Sequence, residues 1–564
     1  MHRRDHLKKL LPAIFSLLLI IAFIIYLFAT SHKEEIPIER STVYVASDNL
    51  DAMVYREEDS MLYEYVTLVR GTPVTSRNIE VEINDGEAVF TQIELEEFTE
   101  EGEAPTIFYI DSSNLTGNLD NVVMETAKYV RTPVTVYQNS QDAQISGFLK
   151  KGTELSICGY EGLQEDGTVE MYQIDNPGNE GYVYAKYLAD TQEEADAIYS
   201  QIADIHAGRE YSFELYGGMP DSLDWYPVSK PELSTGPLLQ NARAMYITAY
   251  AAAPDNIDTY IDLALSSGAN AMVVDIKDGA LAYESELAQE LSPTSYQYSF
   301  LSEEQYRSSI QKIKDAGLYV IGRIVAFNDN LYAADHPEEC IDSDVEAFLW
   351  PSAYSRDCWY YNVALAEEAV EKFGFDEIQF DYVRFPESAF YMSDSGLTDF
   401  KNTYGEEKGE AIQNFCFYAA DRLHKKGAYL SIDVFGECVG AYVTAYGQYW
   451  PAISNVVDAI SGMPYTDHFG ETDTWTYPYT TIYEWAGVAA VRQSEIRTPA
   501  VARTWITGYN TPYWDGSVIY GNAELIDQAQ ALYDAGLTGG FIPWNAISDL
   551  DKYYEYSGVW ANQY

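Results

Sequence analysis

The stretch FGFDEIQFDYVRFP, residues 373–386, decides the fold of the C-terminal half of this chain. It reads as a short apolar strand that ends on ionisable side chains. Side chains alternate between the two faces of a strand, so Glu377, Gln379 and Asp381 share one face and the apolar residues between them share the other. In a parallel β/α architecture the apolar face packs on helices, and the interior carries its chemistry at the C-terminal rim. Asp381 is therefore a candidate active-site carboxylate.

Strands alternate with amphipathic helices on both sides of that stretch. We predict strands at residues 244–249, 271–276, 319–324, 377–381, 429–434, 459–463, 500–503 and 540–543. We predict helices between them at residues 256–267, 303–316, 362–373, 409–426, 481–493 and 523–535. This alternation predicts an α/β fold, a (β/α)₈ or TIM barrel, over residues 241–564. An open doubly wound sheet is the alternative, but no Gly-rich phosphate loop follows the first strand.

The same alternation of faces predicts which other side chains point into the barrel. On strands two, three and five they include Asp275, Arg323 and Asp433. Since the carboxyl ends of parallel strands meet at one rim, we expect these groups to converge there with Asp381. The predicted substrate-binding residues are Asp275, Lys277, Arg323, Gln379, Arg384, Tyr465, Arg503, Trp544 and Asn545.

Carboxylates on adjacent strands four and five are suited to cleaving a glycosidic bond. One carboxylate attacks or stabilises the anomeric carbon, and the other gives a proton to the leaving oxygen. Asp381 beside a cation such as Arg323 suits the ionised role, and Asp433 or Glu437 suits the acid role. Retention and inversion both stay open, because the separation of the two carboxyl groups decides between them. Trp359 and Trp544 flank predicted strand ends and are candidates for stacking on sugars.

Composition excludes one large class of partner. The formal net charge is −54 with a pI near 4.2, whereas nucleic-acid binding requires basic surfaces. Seven scattered histidines contain no H-x-x-x-H pair, so we expect no metal site and no cofactor.

The N-terminus predicts export. Residues 1–9 are basic and residues 10–29 are almost wholly apolar, which is long enough to cross a bilayer. With its basic flank in the cytoplasm, a transmembrane helix within residues 1–30 would make this a single-pass cell-membrane protein with most of the chain extracellular. A cleaved signal peptide is the alternative.

Short alternating strands before the barrel predict small all-β modules. Residues 129–190 contain PVTVYQ, SGFLKKGTEL, VEMYQI and GYVYAKYL in that order, and this pattern resembles a bacterial SH3-like module associated with the cell wall. Residues 41–120 form a possibly diverged copy, and residues 191–240 read as a linker. Such modules either bind wall ligands or act as rigid spacers.

From residue 244 to residue 546 the chain also resembles a bacterial glycoside-hydrolase-like barrel family that was first catalogued as a domain of unknown function. The landmarks are YITAY at 246–250, VVDIKD at 273–278, WYYNVALA at 359–366, GFDEIQFDYVRFP at 374–386, DVFG at 433–436, SGMPY at 461–465 and PWNA at 543–546. The resemblance implies a TIM barrel related to α-amylase-like hydrolases. It also implies that the nucleophile ends strand four, at Asp381, and that the acid follows strand five, at Asp433 or Glu437.

We therefore predict an exported, membrane-anchored glycoside hydrolase that acts on O-glycosyl bonds of a cell-surface or extracellular polysaccharide. One alternative is a non-catalytic glycan-binding or cell-wall scaffold protein with a degenerate barrel. Another is a sugar-modifying enzyme that is not a hydrolase.

Overall fold

The computed structural model describes residues 39–46, 51–58, 61–83, 88–95, 98, 105–118, 122, 128–164, 168–196, 215–345, 348–469, 472–510 and 518–564. The chain divides into two compact units, one of residues 1–125 with 162–169 and one of residues 126–161 with 170–564.

The first unit is an antiparallel β structure. Its strands are β1 (Ser41–Val45), β2 (Asp51–Glu58), β3 (Met61–Val69), β4 (Pro73–Ile83), β5 (Ala88–Glu94), β6 (Ile107–Asp111) and β7 (Leu115–Thr116). They pair in the order β3-β2-β6-β5-β4-β1-β7 around a small apolar core that includes Val54, Ile93 and Ile110. An all-β region thus precedes the barrel, as predicted.

The second unit begins with a five-stranded antiparallel sheet and a separate two-stranded one. Their strands are β8 (Tyr129–Val130), β9 (Val134–Tyr137), β10 (Ile145–Leu149), β11 (Ile157–Leu163), β12 (Val169–Asn176), β13 (Asn179–Tyr184) and β14 (Leu188–Ala189). The order is β10-β9-β13-β12-β11, and β14 pairs with β8. The SH3-like character of this region stays a prediction.

The barrel strands follow. They are β15 (Ala242–Ile247), β16 (Ala271–Asp278), β17 (Ala280–Leu281), β18 (Tyr319–Val325), β19 (Glu377–Asp381), β20 (Tyr429–Phe435), β21 (Ala459–Met463), β22 (Val501–Thr507) and β23 (Gly540–Trp544). Apart from the short antiparallel β17, eight parallel strands of the described chain form a closed ring, because β15 pairs with both β16 and β23. The predicted TIM barrel and its strands are confirmed.

Helices surround this ring. They are α1 (Ile257–Ser267), α2 (Glu286–Leu291), α3 (Pro293–Gln297), α4 (Glu303–Asp315), α5 (Asn330–Asp335), α6 (Arg356–Phe373), α7 (Ala389–Ser395), α8 (Lys408–Lys426), α9 (Trp450–Val456), α10 (Thr472–Thr476), α11 (Pro478–Ser494), α12 (Asn522–Asp534), α13 (Leu550–Glu555) and α14 (Gly558–Ala561). Short 3₁₀ turns lie at Ser112–Asn114, Ala185–Tyr187, Leu215–Gly217, Pro220–Ser222, Pro337–Glu339, Gly436–Val439 and Thr466–Phe469.

Local sequence signals set the ends of the long helices. Ser302 and Gln305 form a reciprocal capping box at the start of α4. Gly374 ends α6 with φ 71° and Gly427 ends α8 with φ 80°, conformations that residues with a Cβ adopt at a cost. Each glycine turns the chain directly toward the next strand, and so fixes where β19 and β20 begin.

Two apolar layers follow from strand alternation. Outward side chains such as Ile378, Phe380 and Ile432 are fully buried against the helices. Inward side chains form a separate cluster inside the ring, in which Tyr246 and Trp505 are the largest members. The interior of the barrel is therefore a packed apolar core that also contains polar side chains from the same strands.

The five-stranded sheet of the second unit packs on helix α8. The ring of Tyr137 stacks on that of Tyr418 with centroids 5.9 Å apart, and the Tyr418 hydroxyl donates to the Ala143 carbonyl. The Tyr187 hydroxyl donates to the Asp421 carboxylate at 2.7 Å. Aromatic side chains of this region are therefore buried against the barrel.

The predicted membrane anchor is not supported. Residues 10–29, which were expected to cross a bilayer, lie outside the described residues. Across the ranges that the structure describes, no helix combines the length and the apolar character that a membrane span requires. The predicted single-pass localisation with an extracellular bulk, and the predicted membrane partner, are corrected on this finding.

Candidate active site

A cavity of about 1090 Å³ opens at the carboxyl ends of the barrel strands. Loops after several strands contribute to its wall. Its polar and aromatic lining includes Asp278, Arg323, Asp381, Tyr382, Arg384, Glu387, Phe435, Glu437, Tyr446, Tyr465, His468, Trp505, Tyr509 and Trp544. We refer to this space below as the cavity.

Arg323 on β18 joins carboxylates of both neighbouring strands. Its Nη1 donates to Asp275 Oδ1 at 2.8 Å, and its Nη2 donates to Asp381 Oδ2 at 2.7 Å. The Tyr246 hydroxyl donates to the other oxygen of Asp275 at 2.6 Å. Burial acts to lower the pKa of Arg323, but the carboxylates of Asp381 and Asp275 outweigh it and hold that pKa well above its usual range. The guanidinium is thus a permanent positive charge in the wall of the cavity.

Burial acts in the opposite direction on Asp275. It raises the pKa of that carboxyl to about 6, although Arg323 and the Tyr246 hydroxyl favour the ionised form. At neutral pH Asp275 is therefore an anion that neutralises part of the Arg323 charge. It does not line the cavity.

Asp381 lies at the surface of the cavity. While Arg323 binds Oδ2, the backbone N–H of Tyr382 donates to Oδ1 at 2.6 Å. The two donors occupy different oxygens, so they fix the plane of the carboxylate.

Asp433 lies on β20, beside β19, and is fully buried. The Trp505 indole N–H donates to its Oδ1 at 2.8 Å, and its Oδ2 has no hydrogen-bond partner among the described residues. Burial, followed by the nearby charge of Asp381, raises the pKa of Asp433 well above its usual range. Asp433 therefore holds a proton more readily than an ordinary aspartate does.

Glu437 lies in the 3₁₀ turn that follows β20, and it lines the cavity. Its two oxygens accept hydrogen bonds from phenol groups of the same loop, Tyr442 at 2.7 Å and Tyr446 at 2.9 Å. Of the two acid candidates on this strand and its loop, Glu437 has access to the cavity and Asp433 does not.

Arg384 forms one wall of the cavity together with aromatic rings. Its guanidinium lies 4.2 Å from the Phe435 ring centroid and 4.7 Å from that of Tyr382. It donates to the Phe385 carbonyl and to the exposed carboxylate of Glu387. Trp544 also lines the cavity, and its ring packs on Tyr246 with centroids 4.8 Å apart.

Tyr465 lies beyond β21 and also lines the cavity. Its ring is 5.4 Å from that of His468 and 6.1 Å from that of Tyr509. Asp467 accepts hydrogen bonds from the Tyr509 hydroxyl at 2.7 Å and from His468, and this contact raises the pKa of His468. A loop network of polar and aromatic groups thus completes the rim.

The structure corrects the predicted orientation of Lys277. A β-bulge between Asp275 and Lys277 shifts the register of β16 on β18, so Lys277 pairs with the outward residue Ile324. Its ammonium group binds Asp329 at 2.5 Å and Asn362 of α6 at 2.8 Å. Lys277 therefore lies in the helix layer and does not reach the cavity.

Arg503 faces inward but at the other end of the barrel. It forms a fully buried ion pair with Glu377, the first residue of β19, and its Nη2 donates to the Leu239 carbonyl at 2.9 Å. Gln379 is also buried below the cavity, where its amide donates to Ser461 Oγ at 3.1 Å. Alternation predicts the face of a side chain but not its height along the barrel axis.

Two further candidates hold other structural positions. The side chain of Asn545 makes hydrogen bonds in both directions with the backbone of Asp549, at the start of α13. Trp359 is fully buried and packs against Phe415 and Tyr418 in the helix layer. Neither contributes to the lining of the cavity.

Sequence reasoning missed several residues of the cavity. Asp278 lies past the bulge in β16 and accepts a hydrogen bond from Arg323 at 3.3 Å, although simple alternation does not predict this. Tyr446 belongs to an irregular loop without a recognisable pattern. Tyr382 has an identifiable signal, since it directly follows the candidate carboxylate in the strand-four motif.

In the described ranges, His336, Glu338 and Glu339 form a cluster whose possible ligand atoms lie within 4.8 Å of one another. Glu339 already accepts hydrogen bonds from the hydroxyls of Tyr332 and Ser355, which accounts for its position. The cluster lies outside the lining of the cavity.

The fold is a TIM barrel with ionisable groups at its C-terminal face, where enzymes of this fold carry their active sites. Comparison of the sequence with known families identifies the family to which this barrel belongs. The profile of a family described as "Putative glycosyl hydrolase domain" matches residues 244–549, which is more than half of the 564 residues. The chain therefore belongs to this family, and it is a glycoside-hydrolase-like protein. No curated protein matches it.

Solved structures provide further similarities. A hypothetical protein from Ruminiclostridium thermocellum is 33% identical, covering 34% of this chain and 97% of that one, with a TM-score of 0.28. The PgaB (BpsB) glycoside hydrolase domain from Bordetella bronchiseptica is 12% identical, covering 57% and 99%, with a TM-score of 0.42. A β-N-acetylhexosaminidase from Bacteroides fragilis is 13% identical, covering 69% and 74%, with a TM-score of 0.38.

Proposed function

We propose that this protein is a glycoside hydrolase that cleaves O-glycosyl bonds of a polysaccharide in the cavity. The observation that carries the proposal is the carboxylate of Asp381, held between Arg323 and the Tyr382 N–H at the cavity surface. A cavity of about 1090 Å³ lies at the upper end of the range for small-molecule sites, and it suits a chain of several sugar units. Membership of the glycosyl hydrolase family supports the reaction class.

Asp381 has the properties of the ionised member of a glycosidase pair. Arg323 forms an ion pair with its carboxylate, which either attacks the anomeric carbon or stabilises the positive charge that develops there. Both oxygens retain lone pairs beyond the hydrogen bonds that fix them.

The proton donor must reach the leaving oxygen, which requires contact within hydrogen-bond distance. Burial raises the pKa of Asp433, but this carboxyl is fully buried, whereas Glu437 lines the cavity. We assign the donor role to Glu437, because its carboxyl lines the cavity where a leaving oxygen would lie and that of Asp433 does not. Asp433 then acts from below, where its raised pKa limits the negative charge beside Asp381.

The experiment uses the full-length protein and a panel of polysaccharides with product analysis. Asp381→Asn should reduce turnover by at least about 10³-fold, and Glu437→Gln by about 10²–10⁴-fold, the range of a lost general acid. Asp433→Asn keeps the shape of a side chain that does not line the cavity and should reduce turnover far less. Asp315→Asn, on the exposed end of α4, is the matched surface control.

Two outcomes would redirect the proposal. If Asp433→Asn removes turnover while Glu437→Gln retains it, Asp433 is the acid. If the wild-type protein binds a glycan without releasing product, and Asp381→Asn leaves that binding unchanged, the protein is a glycan-binding scaffold and not a hydrolase.

A further inference from the structure

The backbone at Tyr382 adopts the left-handed conformation, with φ 54°. Residues with a Cβ rarely adopt this region, and those that do are mostly Asn or Asp rather than bulky aromatic residues. Holding a tyrosine there costs free energy, and such costs are found where surrounding contacts enforce the conformation. The residue directly follows Asp381, so the strained position and the candidate carboxylate share one peptide group.

That shared peptide group is held on both sides. Its N–H, which belongs to Tyr382, donates to Asp381 Oδ1 at 2.6 Å. Its carbonyl, which belongs to Asp381, accepts from the Ala326 N–H at 2.8 Å. With the peptide plane fixed in this way, the chain can change direction only through the φ and ψ angles of Tyr382 itself.

The direction that the chain takes is also enforced. The Tyr382 carbonyl accepts from the N–H of Phe327 at 3.3 Å and from the N–H of Arg384 at 2.9 Å. These contacts anchor the turn on the loop after β18 and bring Arg384 to the cavity wall. A negative φ with the same peptide plane would send the chain elsewhere and break this arrangement.

The ring of Tyr382 lines the cavity. It is half-buried, lies 4.7 Å from the Arg384 guanidinium, and is 6.3 Å from the ring of Trp350. An aromatic face of this kind, next to the reacting carboxylate, is a surface on which a sugar ring can stack.

Given the hydrolase function proposed above, we infer that Tyr382 has two separable roles. Its left-handed backbone is the positioning device that keeps the carboxylate of Asp381 aimed into the cavity. Its ring is a wall of the subsite that binds the sugar next to the bond to be cleaved.

Glycine and alanine separate these roles, because both lack the ring and only alanine has a Cβ. In the full-length protein, Tyr382→Gly should unfold at a temperature at least about 2 °C higher than Tyr382→Ala, since glycine adopts positive φ freely. Tyr382→Gly should keep kcat within about threefold of wild type and raise KM about tenfold, the effect of one lost aromatic contact. Tyr382→Ala should raise KM equally and also lower kcat by about tenfold, since relaxation of its backbone misaligns Asp381.

Two further variants complete the test. Tyr382→Asn retains a Cβ but tolerates positive φ, so its unfolding temperature should lie between those of the Gly and Ala variants. If either of those variants fails to fold, the unfolding temperature of Tyr382→Asn still tests whether the positive φ matters for stability. Tyr382→Phe retains the ring and should match wild type in KM.

Equal unfolding temperatures and equal kcat values for the Gly and Ala variants would overturn the positioning role. An unchanged KM in Tyr382→Gly would overturn the stacking role. If the wild-type protein hydrolyses no glycan, the proposed function fails, while the stability order and crystal structures of the Gly and Ala variants still decide whether the left-handed backbone holds the Asp381 contact.

Discussion

Arg323 and Asp381 form a buried ion pair with an Nη2 to Oδ2 distance of 2.7 Å across two adjacent barrel strands. The register places Arg323 opposite Gln379, so the guanidinium reaches along the barrel axis to meet the carboxylate two residues further on. The same group binds Asp275 on the other neighbouring strand. One cation thus links three strands in the wall of the cavity.

Replacing Arg323 should affect both stability and turnover. Arg323→Met leaves the carboxylates of Asp275 and Asp381 buried without their cation, which should reduce the free energy of unfolding by about 3–5 kcal/mol. Arg323→Lys restores the charge but cannot form both contacts in the same geometry, so it should be more stable than the Met variant and still turn over poorly. Urea unfolding with kinetic assays checks this. Full turnover in Arg323→Met would show that Asp381 does not need the cation.

The pH dependence of stability should reveal the proton on Asp433. Its pKa is raised in the folded protein by burial and by Asp381, whereas an unfolded Asp titrates near about 3.9. Between these two values the folded state holds the extra proton, so stability falls as pH rises from about 4 toward the folded pKa. Asp433→Asn lacks this proton. Its stability relative to wild type should therefore increase with pH over that interval, as measured by thermal unfolding, and a difference independent of pH would contradict the prediction.

The ion pair at the opposite end of the barrel should be purely structural. Arg503→Met leaves Glu377 buried and unpaired and should lower the unfolding free energy by about 3–5 kcal/mol, while kcat and KM of the folded protein stay unchanged. The double variant Arg503→Met with Glu377→Met should recover much of the loss, because the uncompensated charge is gone. A change in KM in the single variant would place Arg503 in substrate binding after all.

Lys277 provides a direct test of the β-bulge. Lys277→Met removes the cation beside Asp329 and should destabilise the protein by about 3–5 kcal/mol. Because the side chain lies in the helix layer, KM should not change at temperatures where the variant is folded. A raised KM with unchanged stability would mean that Lys277 does reach the bound glycan.

Particular residues show how far the sequence alone leads. Alternation of polar and apolar residues correctly predicts the barrel strands, and it also places Arg323 and Asp381 on the same inner face. It fails at Lys277, because one extra residue in β16 reverses the alternation beyond it. A bulge depends on the pairing of two distant strands, so it has no reliable local signal.

The height of a residue inside the barrel is a second property that local pattern does not contain. Asp433 and Glu437 are close in sequence, yet one is fully buried and the other lines the cavity. Strand tilt and stagger set these heights, and both arise only when the ring closes.

The sequence by itself determined the class of fold, the faces of the strands and the family, because these depend on periodicities and motifs that local stretches of chain carry. Only the tertiary structure decided which charged groups meet, since such contacts join residues from separate strands whose register and depth are set by closure of the barrel. The left-handed backbone of Tyr382 belongs to the second kind. Contacts from the loop after β18 impose it against the local preference of a tyrosine.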